Sequence, residues 1–133
     1  MLVMKEKSVC IIIENSKLEI LLLLRDDKPS IKFPNQWVTL GGMIEEGETP
    51  ENAIKRELKE EIGIDLQRFA LFKVYEWPEK TEWVYSAKLN LVPEKIDLHE
   101  GQKIKFFSKK DIEKMNLAFH DSDILKDYFK ADL

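Results

Sequence analysis

The stretch Gly41–Ile64, GGMIEEGETPENAIKRELKEEIGI, holds four of the chain's five glycines (Gly41, Gly42, Gly47 and Gly63), and between the last two lies a helix whose ends are marked by the residues themselves. Thr49 suits the N-cap, and Pro50 suits the first helical position, where a missing N–H costs nothing. Gly63 suits the left-handed residue that closes a helix. These signals predict a helix over Pro50 to Ile62. At 100° per residue, Ile54, Leu58 and Ile62 stack into an apolar stripe with Ala53 beside it, so this side packs on a core. Glu57, Glu60 and Glu61 fall in an arc bordering the stripe. Crowded carboxylates repel, at a cost of a few tenths of a kcal/mol per i,i+4 pair. They form either a solvated acidic face, helped by Lys55, Arg56 and Lys59, or a site for a hard cation such as Mg²⁺ or Mn²⁺.

The spacing around them favours the second reading. From Gly42, five residues lead to Glu48 and seven more to Arg56-Glu57, followed by Leu58, Lys59, Glu60-Glu61, Ile62, Gly63 and Ile64. This pattern resembles, without departure, the sequence box of the Nudix hydrolases. The resemblance implies an α/β/α sandwich and hydrolysis of a nucleoside diphosphate joined to another group. It also implies Mg²⁺ as cofactor, with Mn²⁺ a substitute, held by Glu57, Glu60 and Glu61 with the carbonyl of Gly41. Glu48 and Arg56 would pair with each other or with these carboxylates and orient them. Outside the box, Glu100 in Glu100-Gly101-Gln102 resembles a glutamate that the MutT branch supplies as a further metal ligand or base, so the expected catalytic set is Glu57, Glu60, Glu61 and Glu100. Leu40 stands where many family members carry proline, a departure that concerns loop rigidity rather than ligand chemistry.

Length, composition and charge bound the rest. A chain of 133 residues with 44% hydrophobic and 35% charged residues predicts one globular domain over residues 1–133. The net charge of −4 argues against a nucleic-acid surface. Cys10, the sole cysteine, lies in an apolar run and reads as a buried thiol. No segment approaches the ~18 apolar residues of a membrane span, so a cytoplasmic protein with no membrane partner is expected. Two histidines, His99 and His120, offer no zinc cluster, and no Walker-type loop is present.

Taken in order, Val9 to Ile13 and Leu18 to Leu24 read as a hairpin of strands buried on both faces. The segment from Arg25 to Gln36 reads as a loop, and Trp37 to Leu40 as a short strand entering the glycine loop. Phe69 to Trp77 and Glu82 to Val92 read as a strand pair. In the second of these, Trp83, Tyr85, Ala87, Leu89 and Leu91 alternate toward a core, leaving the other face to solvent or substrate. Ile104 to Phe107 is a further strand. Ser108 is the expected cap of a helix from Lys109 to Met115, and Asp121 or Ser122 that of a last amphipathic helix. The fold class expected is α/β, a mixed sheet covered by helices. Arg25, Trp37 and Phe119 are candidate substrate contacts. A small domain with little beyond the box looks most like the branch that cleaves (deoxy)nucleoside triphosphates to monophosphate and pyrophosphate. Cleavage of sugar nucleotides or ADP-ribose is an alternative, and a non-catalytic nucleotide-binding regulator is another. A homodimer is one of the states the resemblance allows.

Overall fold

A computed structural model describes residues 5–131. Strand β1 (Glu6–Glu14) is the axis of the molecule. It pairs in parallel with β6 (Lys80–Lys88) over its full length, from Glu6 opposite Lys80 to Glu14 opposite Lys88. Its other edge is shared. Antiparallel β4 (Leu40–Met43) takes the first half and β2 (Ile20–Leu24) joins at the far end through Glu14 and Ile20. Beyond β2 lie β3 (Trp37–Val38) and β7 (Lys103–Phe107), and beyond β6 lies β5 (Ala70–Glu76). The result is a seven-stranded mixed sheet.

The continuous apolar runs of β1 and β2 are buried on both faces, as expected. Strand period 2 sends Val9, Ile11, Ile13, Leu21 and Leu23 to one side, where Ala53, Ile54, Leu58 and Ile62 of α1 (Pro50–Ile62) cover them. It sends Cys10, Ile12, Ile20 and Leu22 to the other, under Ile112 of α2 (Lys109–Glu113) and Ile124, Leu125 and Tyr128 of α3 (Asp121–Lys130). The α/β/α sandwich follows from that division. Helix α1 has the predicted bounds: Thr49 Oγ1 accepts from the Asn52 N–H, and Gly63 closes the helix at φ 69°.

Several boundaries differ from the sequence reading, most of them for a tertiary reason. The glycine loop is itself strand β4, with Cys10 opposite Gly41. Only glycine allows this approach, since a Cβ at Gly41 would lie 2.1 Å from the Val9 carbonyl oxygen. Thr39 interrupts the expected strand because its N–H and hydroxyl both donate to Asp121, at 2.7 and 2.8 Å. Asp121 is thereby spent on Thr39, and Ser122 Oγ accepts from the Leu117 N–H, so neither caps α3 with its side chain. Strand β6 starts at Lys80 and stops at Lys88, where its partner β1 ends, rather than running to Val92. Helix α2 stops at Glu113, short of Met115. The face of β6 opposite the alternating set is not left to solvent either, because Val84 is fully buried in the second core.

Among the described residues no helix is long and apolar enough to cross a membrane. Burial predicts the pattern of mutational cost. Leu58→Ala, at a fully buried site, should destabilise by about 2–5 kcal/mol, whereas Leu71→Ala on the exposed edge strand should stay within about 0.5 kcal/mol. Urea unfolding of the two variants tests the contrast.

Candidate active site

Helix α1 presents its acidic arc to the strand that carries the paired glycines. Glu61 is turned inward and only 5% exposed, and the Gly41 N–H donates to its Oε1 at 3.0 Å. Glu57 is drawn against Gly42, where a Cβ would meet its carboxyl carbon at 2.4 Å. Glu60, one turn from Arg56, stays exposed. Burial, then the charges of Glu57 and Glu100, push the Glu61 carboxyl up to about 9. Burial also raises Glu57, against the pull of Arg56. Glu100, exposed on the turn before β7, is thus part of the same electrostatic cluster.

Arg56 organises the cluster from outside. Its Nε and Nη2 donate to the two Glu48 oxygens at 2.8 and 3.0 Å, in a bidentate fork. Nη1 donates to Glu57 at 2.9 Å and reaches Glu60 at 3.3 Å, while Nη2 also bonds the Met43 carbonyl. The expected pairing of Glu48 and Arg56 is therefore present in both forms at once. The Arg56 hydrogen bond holds Glu48 down at about 2. His99 anchors the Glu100 turn to the end of α1: its backbone N–H donates to the Glu61 carbonyl, and its ring bonds the Glu60 carbonyl and Asp97. Asp97, then the Glu60 carbonyl, raise the pKa of His99.

Gly41 and Gly42 also form one wall of a cavity of about 630 Å³. Arg25 and Phe119, two of the expected substrate contacts, line it. Trp37 does not: its ring packs edge-on to Phe107 at 4.7 Å, toward the second core. The Phe33 and Phe119 rings meet at 4.6 Å, tilted by 53° to each other, both residues having left-handed backbone (φ 51° and 55°), a strain that bulky residues rarely carry without tertiary support. Arg25 and Lys80 lie over the Phe119 ring at 5.1 and 4.9 Å. His120, stacked on Trp77 at 3.9 Å, bonds Glu79.

The cavity floor holds a second group that sequence reasoning did not single out. Cys10, Glu82 and Asp121 are all buried, with potential ligand atoms within 4.8 Å of one another. Burial, with Glu82 and Asp121 nearby, raises the Cys10 thiol well above its usual value, and burial raises Asp121 to about 6. The available signal was a polar residue at every second place in buried strands, Ser8 and Cys10 in β1 and Glu82 in β6.

A family model for the NUDIX domain matches residues 4–128. The chain belongs to the NUDIX domain family. Its resemblance to the Nudix box is therefore one of descent. The NUDIX chain is 40% identical over 87 residues to the 8-oxo-dGTP diphosphatase of Escherichia coli (strain K12), a match covering 62% of this chain and 66% of that relative. It is 39% identical over 69 residues to the nucleoside triphosphatase NudI of Enterobacter sp. (strain 638), covering 52% and 45%. The chain thus spans just under two thirds of the length of the first relative and under half of the second. Among solved structures, a MutT protein from Methanosarcina mazei Go1 superposes with a TM-score of 0.73 at 24% identity, covering 97% of each chain, a likeness of fold.

The buried Glu61 makes a pH prediction for the protein without metal. Its folded-state value, about 9, lies above the ordinary 4.5. Below about 4.5 both states are protonated and there is no penalty. As pH rises toward about 9 the unfolded chain ionises freely and the folded carboxyl does not, so stability falls through this window. Glu61→Gln should flatten that fall and hold or raise Tm at pH 8, as read by thermal melts in chelator across a pH series.

Proposed function

We propose that this chain is a divalent-cation-dependent pyrophosphohydrolase that splits a (deoxy)nucleoside triphosphate into monophosphate and pyrophosphate. The observation that supports it most is the placement of Glu57 and Glu61, on which the charge of Glu100 also acts, against the Gly41–Gly42 strand, which is also a wall of the cavity. Reacting phosphates at the carboxylates and a nucleoside in the cavity would then share one boundary. The relatives named for nucleotide hydrolysis agree with this reading, and the complete set of box carboxylates favours a catalyst over a regulator that only binds.

The residues fit the metal that the family's box implies. An all-oxygen set, Glu57, Glu60, Glu61, Glu100 and the Gly41 carbonyl, suits a hard cation, and a carboxyl held neutral by burial and by its neighbours' charges has the electrostatics that such a cation relieves. When bound there, Mg²⁺ would neutralise phosphate charge and lower the pKa of a coordinated water. The protein's own part is positional. Arg56 fixes Glu57 and ties Glu48 to the Met43 carbonyl, so the acidic arc keeps its shape against its own repulsion. The Gly41 N–H fixes the Glu61 carboxyl relative to the strand. Arg25 and Lys80 place positive charge on the cavity's flank beside Phe119, where an anionic nucleotide would enter. The Phe33–Phe119 pair offers apolar ring surface for a base.

A nucleotide panel assayed with Mg²⁺ tests the reaction, with products read by mass spectrometry in isotopically labelled water. Monophosphate and pyrophosphate are expected, and orthophosphate as the primary product would overturn the proposal. Glu61→Gln should abolish turnover without loss of folding.

Glu100 separates two roles. If it is a ligand on its turn, Glu100→Gln weakens activity and excess Mg²⁺ partly restores it. If it is the general base, kcat falls by ~10²-fold or more with no rescue. Kinetics over a Mg²⁺ titration decide between them, and unchanged kinetics remove Glu100 from the site.

A further inference from the structure

The cavity floor brings together a thiol, two carboxylates and an orphan hydroxyl. Cys10 and Ser8 share one face of β1, two residues apart, and the parallel register sets Ser8 beside Glu82 of β6. Asp121 comes from the start of α3 and closes the group from above the sheet. All four residues line the cavity, and none is more than 5% exposed. The Ser8 hydroxyl is buried and has no hydrogen-bond partner, a costly state that a ligand in the cavity would relieve.

The polar contacts of the cluster leave room for one more group. Asp121 receives both of its bonds, from the Thr39 N–H and hydroxyl, on Oδ2 alone. Glu82 accepts from Trp77 Nε1 at 3.0 Å on Oε1, and its Oε2 faces the Lys80 ammonium only at 3.7 Å. The ligand atoms of Cys10, Glu82 and Asp121 lie within 4.8 Å of one another. A tetrahedral zinc ion with bonds of about 2.0–2.3 Å holds its ligands roughly 3.3–3.8 Å apart, so small side-chain rotations close the shell. Three carboxylates would suit Mg²⁺, but one sulfur and two oxygens suit a softer ion.

We propose that Cys10, Glu82 and Asp121 form a second cation site at the floor of the cavity, separate from the box carboxylates and selective for a borderline-soft divalent ion of the Zn²⁺ class. Binding releases the Cys10 thiol proton to solvent and places a sulfur–metal bond in its stead. One thiolate and two carboxylates around a doubly charged ion leave a net charge of −1, which the adjacent Lys80 ammonium balances. The fourth position is left to a water, and the unpartnered Ser8 hydroxyl lies on the same face of β1 as Cys10. The site does not depend on the proposed hydrolysis, because it uses none of the residues assigned to that reaction's metal.

Cobalt(II) tests it directly, because Cys10 is the sole cysteine and any thiolate-to-cobalt charge-transfer band must arise from it. Titration of the full chain should give such a band, saturating at one equivalent, displaced by Zn²⁺ and indifferent to excess Mg²⁺. The band should persist in Glu61→Gln, which damages the box, and disappear in Cys10→Ser. Should Cys10→Ser fail to fold, Asp121→Asn and Glu82→Gln keep the thiol and should each weaken cobalt binding about 10-fold or more. Absence of the band, its loss in Glu61→Gln or its displacement by Mg²⁺ would overturn the proposal.

Discussion

Strand β1 has to bury both faces at once, and the rest of the molecule follows from that constraint. Its run from Val9 to Ile13, of Val, Cys and Ile, has no charged face and cannot lie on a surface, so helices must cover it from two sides. Its two edges are constrained as well. One is filled along its length by β6, and the other is divided between β2 and β4. Because β4 docks only on the first half of β1, the glycine pair is held where helix α1 can reach it. The acidic arc of α1 and the strand are thus brought together by hydrophobic packing, which stabilises the assembly enough to hold charges that repel.

That arrangement explains why so much of the site's electrostatics is unfavourable in isolation. Glu61 is buried with a single N–H partner, and Glu57 is partly buried beside it. Arg56 offsets part of the cost by spreading its donors over Glu48, Glu57, Glu60 and the Met43 carbonyl. It does not bond Glu61. The remaining imbalance sits at one wall of a cavity whose other wall carries Arg25, Lys80 and the Phe33–Phe119 pair. Cavity wall and charged cluster meet at Gly41 and Gly42, which belong to both.

The cavity floor obeys a different logic. Thr39 leaves the sheet ladder to bond Asp121, which interrupts the strand between β3 and β4 and ties the start of α3 to the centre of the fold. Asp121 therefore acts as a cross-brace rather than as a helix cap, and it brings a carboxylate over Cys10 and Glu82. A contact spanning 82 residues has set the chemistry of the floor.

The sequence by itself determined whatever depends on local spacing. Thr49, Pro50 and Gly63 bounded α1 to the residue, the 3.6-residue period separated its buried stripe from its acidic arc, and the interval from Gly42 to Ile64 identified the family. The unbroken apolarity of Val9 to Ile13 announced a strand covered on both faces. Tertiary structure decided what depends on partners remote in the chain: that the glycine loop is a strand because Val9 and Cys10 lie against it, that β6 ends where β1 ends, and that Trp37 faces Phe107 while Phe119 faces the cavity. It also decided that Ser8, Cys10, Glu82 and Asp121 meet. Caps and helical faces are written in neighbouring residues, whereas sheet edges, cavity walls and clusters drawn from three elements exist only once burial has chosen which surfaces touch.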